Sequence, residues 1–289
     1  MPIVWLASYP KSGNTWVRSF IANYLMGTDR PVHINDITHF TFGEHQAEYY
    51  EHLSGKAFDT LTDDDINRLR PAVQRYIDRQ RKEAVFVKTH SAVTELDGVP
   101  TILGEVTIGA LYIIRNPLDV CVSYAHHMGV DYDTAVVALG SPETQLATHG
   151  RFAFQVLGGW SDHVVSWVDQ KKALMGITRY EDLSRRPEEA FTKVVRALKM
   201  PVDKARLRQA IKNANFKTLR SMENKSGFIE ASKKAERFFR KGKVGDWRTE
   251  LNADQIARIV ADHRTMMCRF GYLDSKGTPV DGGPAKDVL

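Results

Sequence analysis

WLASYPKSGNTWVR, residues 5–18 of a 289-residue chain, joins an apolar run to a helical pattern through one short loop. The run from Ile3 to Ala7 is continuously apolar, as a strand buried on both faces must be. Tyr9-Pro10-Lys11-Ser12-Gly13 follows. From Asn14 to Met26 apolar side chains then recur at helical spacing: Trp16, Val17, Phe20, Ile21, Tyr24 and Leu25. A strand, a glycine turn and a helix N-terminus together favour an anion, because unpaired amides and the helix dipole point into the turn. A Walker loop, GxxxxGK[ST], carries its lysine directly after the second glycine. Here Gly13 is followed by Asn14 and Thr15, and the lysine, Lys11, stands ahead of the glycine. The loop is P-loop-like, but its cation approaches from a different side.

Three further runs, AVFVKTH (84–90), ALYIIRN (110–116) and ALMGITRYEDL (173–183), are again short and apolar. The second leads into PLDVCVSYAHHM with Pro117 placed for a first helical turn, and the third precedes a helix starting near Pro187. Strands alternating with helices predict an α/β fold, a three-layer sandwich with a central parallel sheet flanked by helices. Ligands of such sheets bind beyond the carboxyl ends of the strands, where the loops after residues 8, 88 and 115 fall. From about residue 200 the pattern is mostly helical, with an amphipathic helix from Asn252 to Phe270, capped by Asn252 and stopped by Gly271. With no repeat and no good linker, residues 1–273 read as one domain, and the Gly- and Pro-rich residues 274–289 as a mobile tail.

Composition is that of a globular protein: 43% hydrophobic and 26% charged residues, with a formal net charge of +5. That mild excess suits an anionic ligand and is too weak to imply nucleic acid. The two cysteines, Cys121 and Cys268, sit in apolar surroundings without metal-ligand spacing, which predicts reduced thiols and a cytoplasmic protein. No stretch has the pattern of an export signal, and no apolar run approaches about 18 residues, so no membrane span is expected.

Cations recur at the strand ends. VKTH puts Lys88 and His90 on one side of an extended segment. RNPLDVCVS puts Arg115 at a strand end and Ser123 eight residues on, about two helical turns into the next helix. FFRKGKVGDW (238–247) adds a basic, glycine-containing loop. Each has an ordinary reading by itself: a satisfied surface histidine, a salt-bridge arginine, a solvated charged face over 233–243. Together they argue for one anionic ligand. A P-loop kinase is the nearest rival, but no acidic residue ends a later strand as a magnesium partner. Two other readings are weaker: an oligonucleotide binder using 233–243, and a metal site among His33, His39, His45 and His52, which lack tight HxH or HxxxH spacing.

These segments resemble the cytosolic-type sulfotransferases, which move a sulfuryl group from 3′-phosphoadenosine 5′-phosphosulfate (PAPS) to an acceptor hydroxyl or amine. YPKSGNTW resembles the 5′-phosphosulfate loop, RNPLDVCVSY the 3′-phosphate motif, RKGKVGDW the C-terminal phosphate loop and VKTH the segment with the catalytic base. The opening stretch is also similar to bacterial members that sulfate glycopeptide antibiotics. The resemblance implies that Lys11, the backbone of Ser12, Gly13, Asn14, Thr15 and Trp16, and the Thr15 hydroxyl cradle the phosphosulfate. It further implies that Arg115, Ser123, Arg240, Lys241 and the Gly242 amide hold the 3′-phosphate. Trp16 and Phe216 would sandwich the adenine, Tyr180 would hydrogen-bond to it, and Phe238 would add to the adenine or phosphate wall. His90 would be the base, with Lys11 and Lys88 flanking the transferring group, no metal required, and 3′,5′-bisphosphoadenosine (PAP) released. The acceptor is expected to be a small molecule, aromatic, hydrophobic or glycopeptide. Its pocket would lie in loops 36–60, with Phe40, Phe42, Tyr49 and Tyr50, and 126–160, with His126 and His127. In NANFKTL only Phe216 matches well, Ala214 and Asn215 replacing hydroxyl residues. The family's dimer motif KxxxTVxxxE would fall on Arg248, Asn252, Ala253 and Ala257 and is absent, which leaves that mode of dimerisation without support.

Overall fold

The four apolar runs become strands of one sheet, which a fifth, shorter strand completes at one edge. The computed structural model describes residues 2–80, 83–170, 173–232 and 234–289; Lys233 of the basic stretch 233–243 lies outside them. The strands are β1 (Ile3–Ser8), β2 (Thr41–Gly43), β3 (Val85–Thr89), β4 (Thr107–Ile114) and β5 (Leu174–Arg179). All pair in parallel, in the order β2-β3-β1-β4-β5. Trp5 of β1 stands between Val87 of β3 and Ala110 of β4. From β1 the chain crosses to the edge at β2, comes back beside β1 with β3, and then builds outward on the other side with β4 and β5, so the loop after β1 sits where the chain switches sides.

Alternation within the strands divides the core in two. Ile3, Trp5, Ala7, Ala110, Tyr112 and Ile114 face one apolar cluster, and Val4, Leu6, Leu111 and Ile113 face the other. Helix α1 (Asn14–Met26) covers the second face with Val17, Phe20 and Ile21, beside the helices Pro187–Ala197 and Lys204–Asn213. Phe20 and Phe191 stack there with ring centroids 4.0 Å apart. The first face is covered by Asp63–Asp78, Pro117–Met128, Trp160–Val168 and Ala253–Arg269 among others. The last of these begins at Asn252 with a reciprocal capping box to Gln255. The result is the three-layer sandwich expected.

Two expectations change. Segment 36–60 is not merely a loop: it contains β2 and the helix Ala47–Ser54, and 126–160 contains the helix Tyr132–Gly140 and a small hairpin, Gln145–Leu146 with Gln155–Val156. Three residues of an edge strand are too few to register as a period. The tail 274–289, read as mobile, is instead attached along its length. Val280 donates its amide to the Tyr272 carbonyl, Asp281 accepts from Trp247 and Arg248, Asp287 accepts from Arg269, and the Leu289 amide donates to Ile177 of β5. Gly- and Pro-rich composition lowers helix and strand propensity, but it does not prevent backbone and carboxylate groups from docking. Deleting residues 274–289 is therefore expected to cost about 1–3 kcal/mol, from the half-buried Val288 and Leu289 and the lost hydrogen bonds. Chemical denaturation would read it as a lower midpoint, and an unchanged midpoint would mean that the tail contributes nothing.

Candidate active site

At the end of β1 the backbone is forced into two left-handed residues, Lys11 with φ 67° and Gly13 with φ 101°. A Cβ on Gly13 would also lie 2.7 Å from Cδ2 of Tyr180, so the position is closed to larger residues on both counts. Gly13, which has no side chain, caps α1, and among the described residues no side chain takes up the amides of its first turn, which leaves them for a ligand. Asn14 anchors the turn to its strand, its Nδ2 donating to the Leu6 carbonyl at 2.8 Å and to Ser8 Oγ at 3.3 Å. Among the described residues the buried Ser12 Oγ and Asn14 Oδ1 have no hydrogen-bond partner.

Above this turn opens a cavity of about 1200 Å3, at the carboxyl ends of the strands. Lys11, Gly13, Asn14, Thr15, Trp16, Lys88, His90, Arg115, Ser123, Tyr180, Phe216, Phe238, Arg240, Lys241 and Gly242 all line it. Ser12 does not: its side chain is buried beneath, and its amide donates to the Tyr9 carbonyl. The sequence thus named residues from six separated segments that the fold assembles around one space.

The cations there are held in makeshift ways. The Lys11 ammonium lies 3.9 Å from the centroid of the Phe238 ring. Burial pushes its pKa down to about 7, with the Arg115 charge adding to the effect. Arg115 donates to the carbonyls of Lys11 at 3.1 Å and Lys243 at 3.0 Å, which ties the loop after β1 to the basic loop 238–247. It also lies over the Tyr180 ring, and its buried Nε is unpaired among the described residues. Lys88 pairs with Glu230 at 2.8 Å. Arg240 and Lys241 both bind Asp246, at 2.6 and 2.8 Å, and Lys241 also binds Glu250 at 2.6 Å.

His90 has its orientation set by three neighbours. Its Nδ1–H donates to the Ser8 carbonyl at 2.8 Å, because a carbonyl can only accept; Nε2 is therefore the unprotonated nitrogen of the neutral ring. Its amide donates to Gln155 Oε1 at 2.8 Å, and its carbonyl accepts from His163 Nε2 at 2.9 Å. His163 in turn accepts the Tyr112 hydroxyl proton at Nδ1. Burial holds the His90 pKa well below its ordinary range, with the Lys88 charge reinforcing the shift, so the ring remains a neutral base.

The aromatic end is built from Trp16, Tyr180 and Phe216. Trp16 meets Tyr180 edge-on at 5.4 Å, and Phe216 meets Phe239 at 6.1 Å. Gly242, at φ 64°, lies so close against the Phe216 ring that a Cβ there would collide with it. Ser123 is half-buried on the helix after Arg115.

Some expected residues are elsewhere. Phe40, Phe42, Tyr49 and Tyr50 do not line the cavity; Tyr49 and Tyr50 are core residues. At that end the wall comes instead from His45 to Glu48, from Leu146 to Gln155, and from Ile229 to Ser232. Of the histidine pair, His127 lines the cavity and His126 does not. His45, weighed above only as a metal ligand, stacks on Phe152 at 5.1 Å, while His33 bonds Ser226 Oγ and His52 packs on Tyr76. Among the described residues no group of three or more His, Cys, Asp or Glu side chains converges to hold a metal, and no helix is long and apolar enough to cross a membrane. The residues that sequence reasoning missed are Glu230, Gln155 and His163. Glu230 had one visible signal, as the last acid before the basic run.

The model of the sulfotransferase domain matches residues 2–271. The chain belongs to the sulfotransferase-domain family. Cytosolic sulfotransferase 5 of Arabidopsis thaliana is 24% identical over 266 residues, 88% of this chain and 76% of its own. Flavonol 3-sulfotransferase of Flaveria bidentis is 25% identical over 273 residues, 89% and 78% of the two chains. Among solved structures, mouse sulfotransferase SULT7A1 complexed with PAP superimposes with a TM-score of 0.60 at 19% identity, covering 92% of this chain and 84% of that one. Retinol dehydratase in complex with androsterone and PAP gives the same TM-score at 15% identity, covering 92% and 80%. This sulfotransferase is thus a PAPS-dependent enzyme by family and an α/β three-layer sandwich by fold.

Lys11 gives a pH test. Its pKa is lowered to about 7 in the free protein, and a bound phosphate restores the charged form. Above pH 7 the lysine must therefore take up a proton to bind, and affinity for PAP is expected to fall as pH rises from 7 to 9. Calorimetry in two buffers of different ionisation enthalpy at pH 8 should show proton uptake, and Lys11→Arg should abolish it. A flat pH profile with no proton uptake would remove Lys11 from the phosphate contact.

Proposed function

We propose that this sulfotransferase carries a sulfuryl group from PAPS to a hydroxyl or amine of a small molecule, with His90 as general base, and releases PAP. The observation that carries the reading is the convergence of Lys11, Lys88, His90 and Arg115 on one cavity at the carboxyl edge of the sheet. The residues suit an anionic donor: first-turn helix amides that no side chain takes up among the described residues, a half-buried lysine with a depressed pKa, and an unpaired Nε on Arg115.

Lys11, the amides from Gly13 to Trp16 and the Thr15 hydroxyl would hold the 5′ end; the Ser12 amide, bonded to the Tyr9 carbonyl, would not. Arg115, Ser123, Arg240, Lys241 and the Gly242 amide would hold the 3′-phosphate, with Arg240 and Lys241 exchanging Asp246 and Glu250 for it. Trp16 and Phe216 would enclose the adenine, Tyr180 would hydrogen-bond to it, and Phe238 would extend the wall. When bound, PAPS supplies an activated sulfuryl group on a phosphate leaving group. His90, fixed through Nδ1, presents Nε2 to take the acceptor's proton. Lys11 neutralises charge that grows on the leaving oxygen, and Lys88 steadies the equatorial oxygens. These lysines make the chemistry metal-independent. Two free thiols, Cys121 and Cys268, accord with a cytoplasmic location. A bacterial source and a glycopeptide acceptor rest on the opening motif alone, and an acceptor panel of phenols, alcohols, amines and a glycopeptide addresses the second.

His90→Ala is expected to lower turnover by at least ~10²-fold and to leave PAP affinity nearly intact. Retained turnover would take the base role from His90. PAP should bind more tightly than 5′-AMP by about 1.5–3 kcal/mol, the scale of a charge-assisted hydrogen bond, with or without EDTA. Equal affinities would argue against a 3′-phosphate site, and loss of binding in EDTA against metal independence.

A further inference from the structure

We infer that the Glu230 carboxylate occupies the position at Lys88 that the donor's sulfonate takes, and that the sulfonate displaces it on binding. The inference rests on the donor reading above. Glu230 Oε2 accepts from Lys88 Nζ at 2.8 Å, and Arg18 Nη1 donates to both carboxylate oxygens, at 2.7 and 3.0 Å. Its side chain is 9% exposed and lies in the cavity wall. Two cations thus reach one carboxylate from separate elements, Lys88 from β3 and Arg18 from α1, the helix whose N-terminus forms the anion loop.

The pair is built around Arg18. Its side chain is fully buried, its Nε donates to Thr41 Oγ1 at 2.9 Å, and its Nη2 has no partner among the described residues. A buried guanidinium needs a counter-anion, and Glu230 supplies it. Glu230 itself comes from irregular chain between the helix Phe216–Ser226 and the basic loop. The local anchors are the Ile229 amide bond to Asn35 Oδ1 and a turn bond from the Ala231 amide to the Phe228 carbonyl. Such a segment moves at less cost than a strand or helix. A carboxylate and a sulfonate brought to one ammonium repel each other, so a donor engaging Lys88 must push Glu230 back. PAP has no sulfonate and leaves the carboxylate in place. Glu230 is therefore a positioning residue that acts through Lys88. It compensates the empty site and biases the site against its own donor, and it regains Lys88 once the sulfuryl group has left.

The test is titration calorimetry of the wild type, Glu230→Gln and Glu230→Asp with PAPS and with PAP, without acceptor. Glu230→Gln is expected to tighten PAPS by about tenfold, the scale of one charge-assisted contact, and to leave PAP affinity unchanged. Glu230→Asp keeps a charge beside Arg18 but withdraws it from Lys88. It should shift the PAPS-to-PAP ratio in the same direction and keeps the question open if the glutamine variant folds poorly. Equal changes for both nucleotides, or weaker PAPS binding, would overturn the inference while leaving the donor assignment standing. A wild-type protein that binds neither nucleotide would overturn the donor assignment as well.

Discussion

A parallel sheet delivers the carboxyl ends of all its strands to one edge, and here that edge is loaded with buried positive charge. Lys11, Lys88 and Arg115 each follow or end a strand, and Arg18 lies one turn into the first helix. Taking such groups out of water is costly unless something balances them. The protein balances each differently: an aromatic face for Lys11, a shared carboxylate for Lys88 and Arg18, main-chain carbonyls and, at 3.9 Å, the Asp119 carboxylate for Arg115. An aromatic face and a carbonyl are weaker partners than a phosphate or sulfonate. The site is thus electrostatically incomplete, which fits it for an anionic donor.

His90 shows how far into the core the site is supported. His90 stands at the end of β3, its ring held by β1 through Ser8 and its backbone held by Gln155 and His163. His163 rests on Tyr112 of β4 and meets Tyr9 edge-on at 5.4 Å. Three strands and a helix therefore fix one imidazole. Gln155 also belongs to the small hairpin that lines the cavity, so one wall of the cavity and the backbone of His90 share one element.

The C-terminal part closes the nucleotide end by similar long-range ties. Asp119, in the first turn after Arg115, accepts the amides of Gly245 and Trp247 at 2.8 and 3.1 Å. Glu223 accepts the amides of Phe238 and Phe239. A basic loop with no regular structure is in this way pinned by two carboxylates from separate helices, Asp119 and Glu223. The tail adds a third attachment, with Asp281 against Trp247 and Arg248.

The four longer strands, the helices that follow them and the glycine turn after β1 were legible in the residues because each rests on a short-range rule, whereas the edge strand β2 was too short to show one. Ile3 to Ala7 is apolar at every position because both faces of β1 are buried, and Gly13 is needed where the backbone turns left-handed beneath Tyr180. Lys11, Lys88, His90 and Arg115 were visible because a parallel sheet turns sequence position at a strand end into spatial convergence. What only the tertiary structure decided is which groups those residues face. Lys88 and Glu230 are 142 positions apart, Gln155 is 65 from His90, and the tail's Leu289 lies against β5. A side-chain pair at such separation leaves no period, cap or turn in the sequence. Its energy depends on a distance and a dielectric that exist only once the chain has folded.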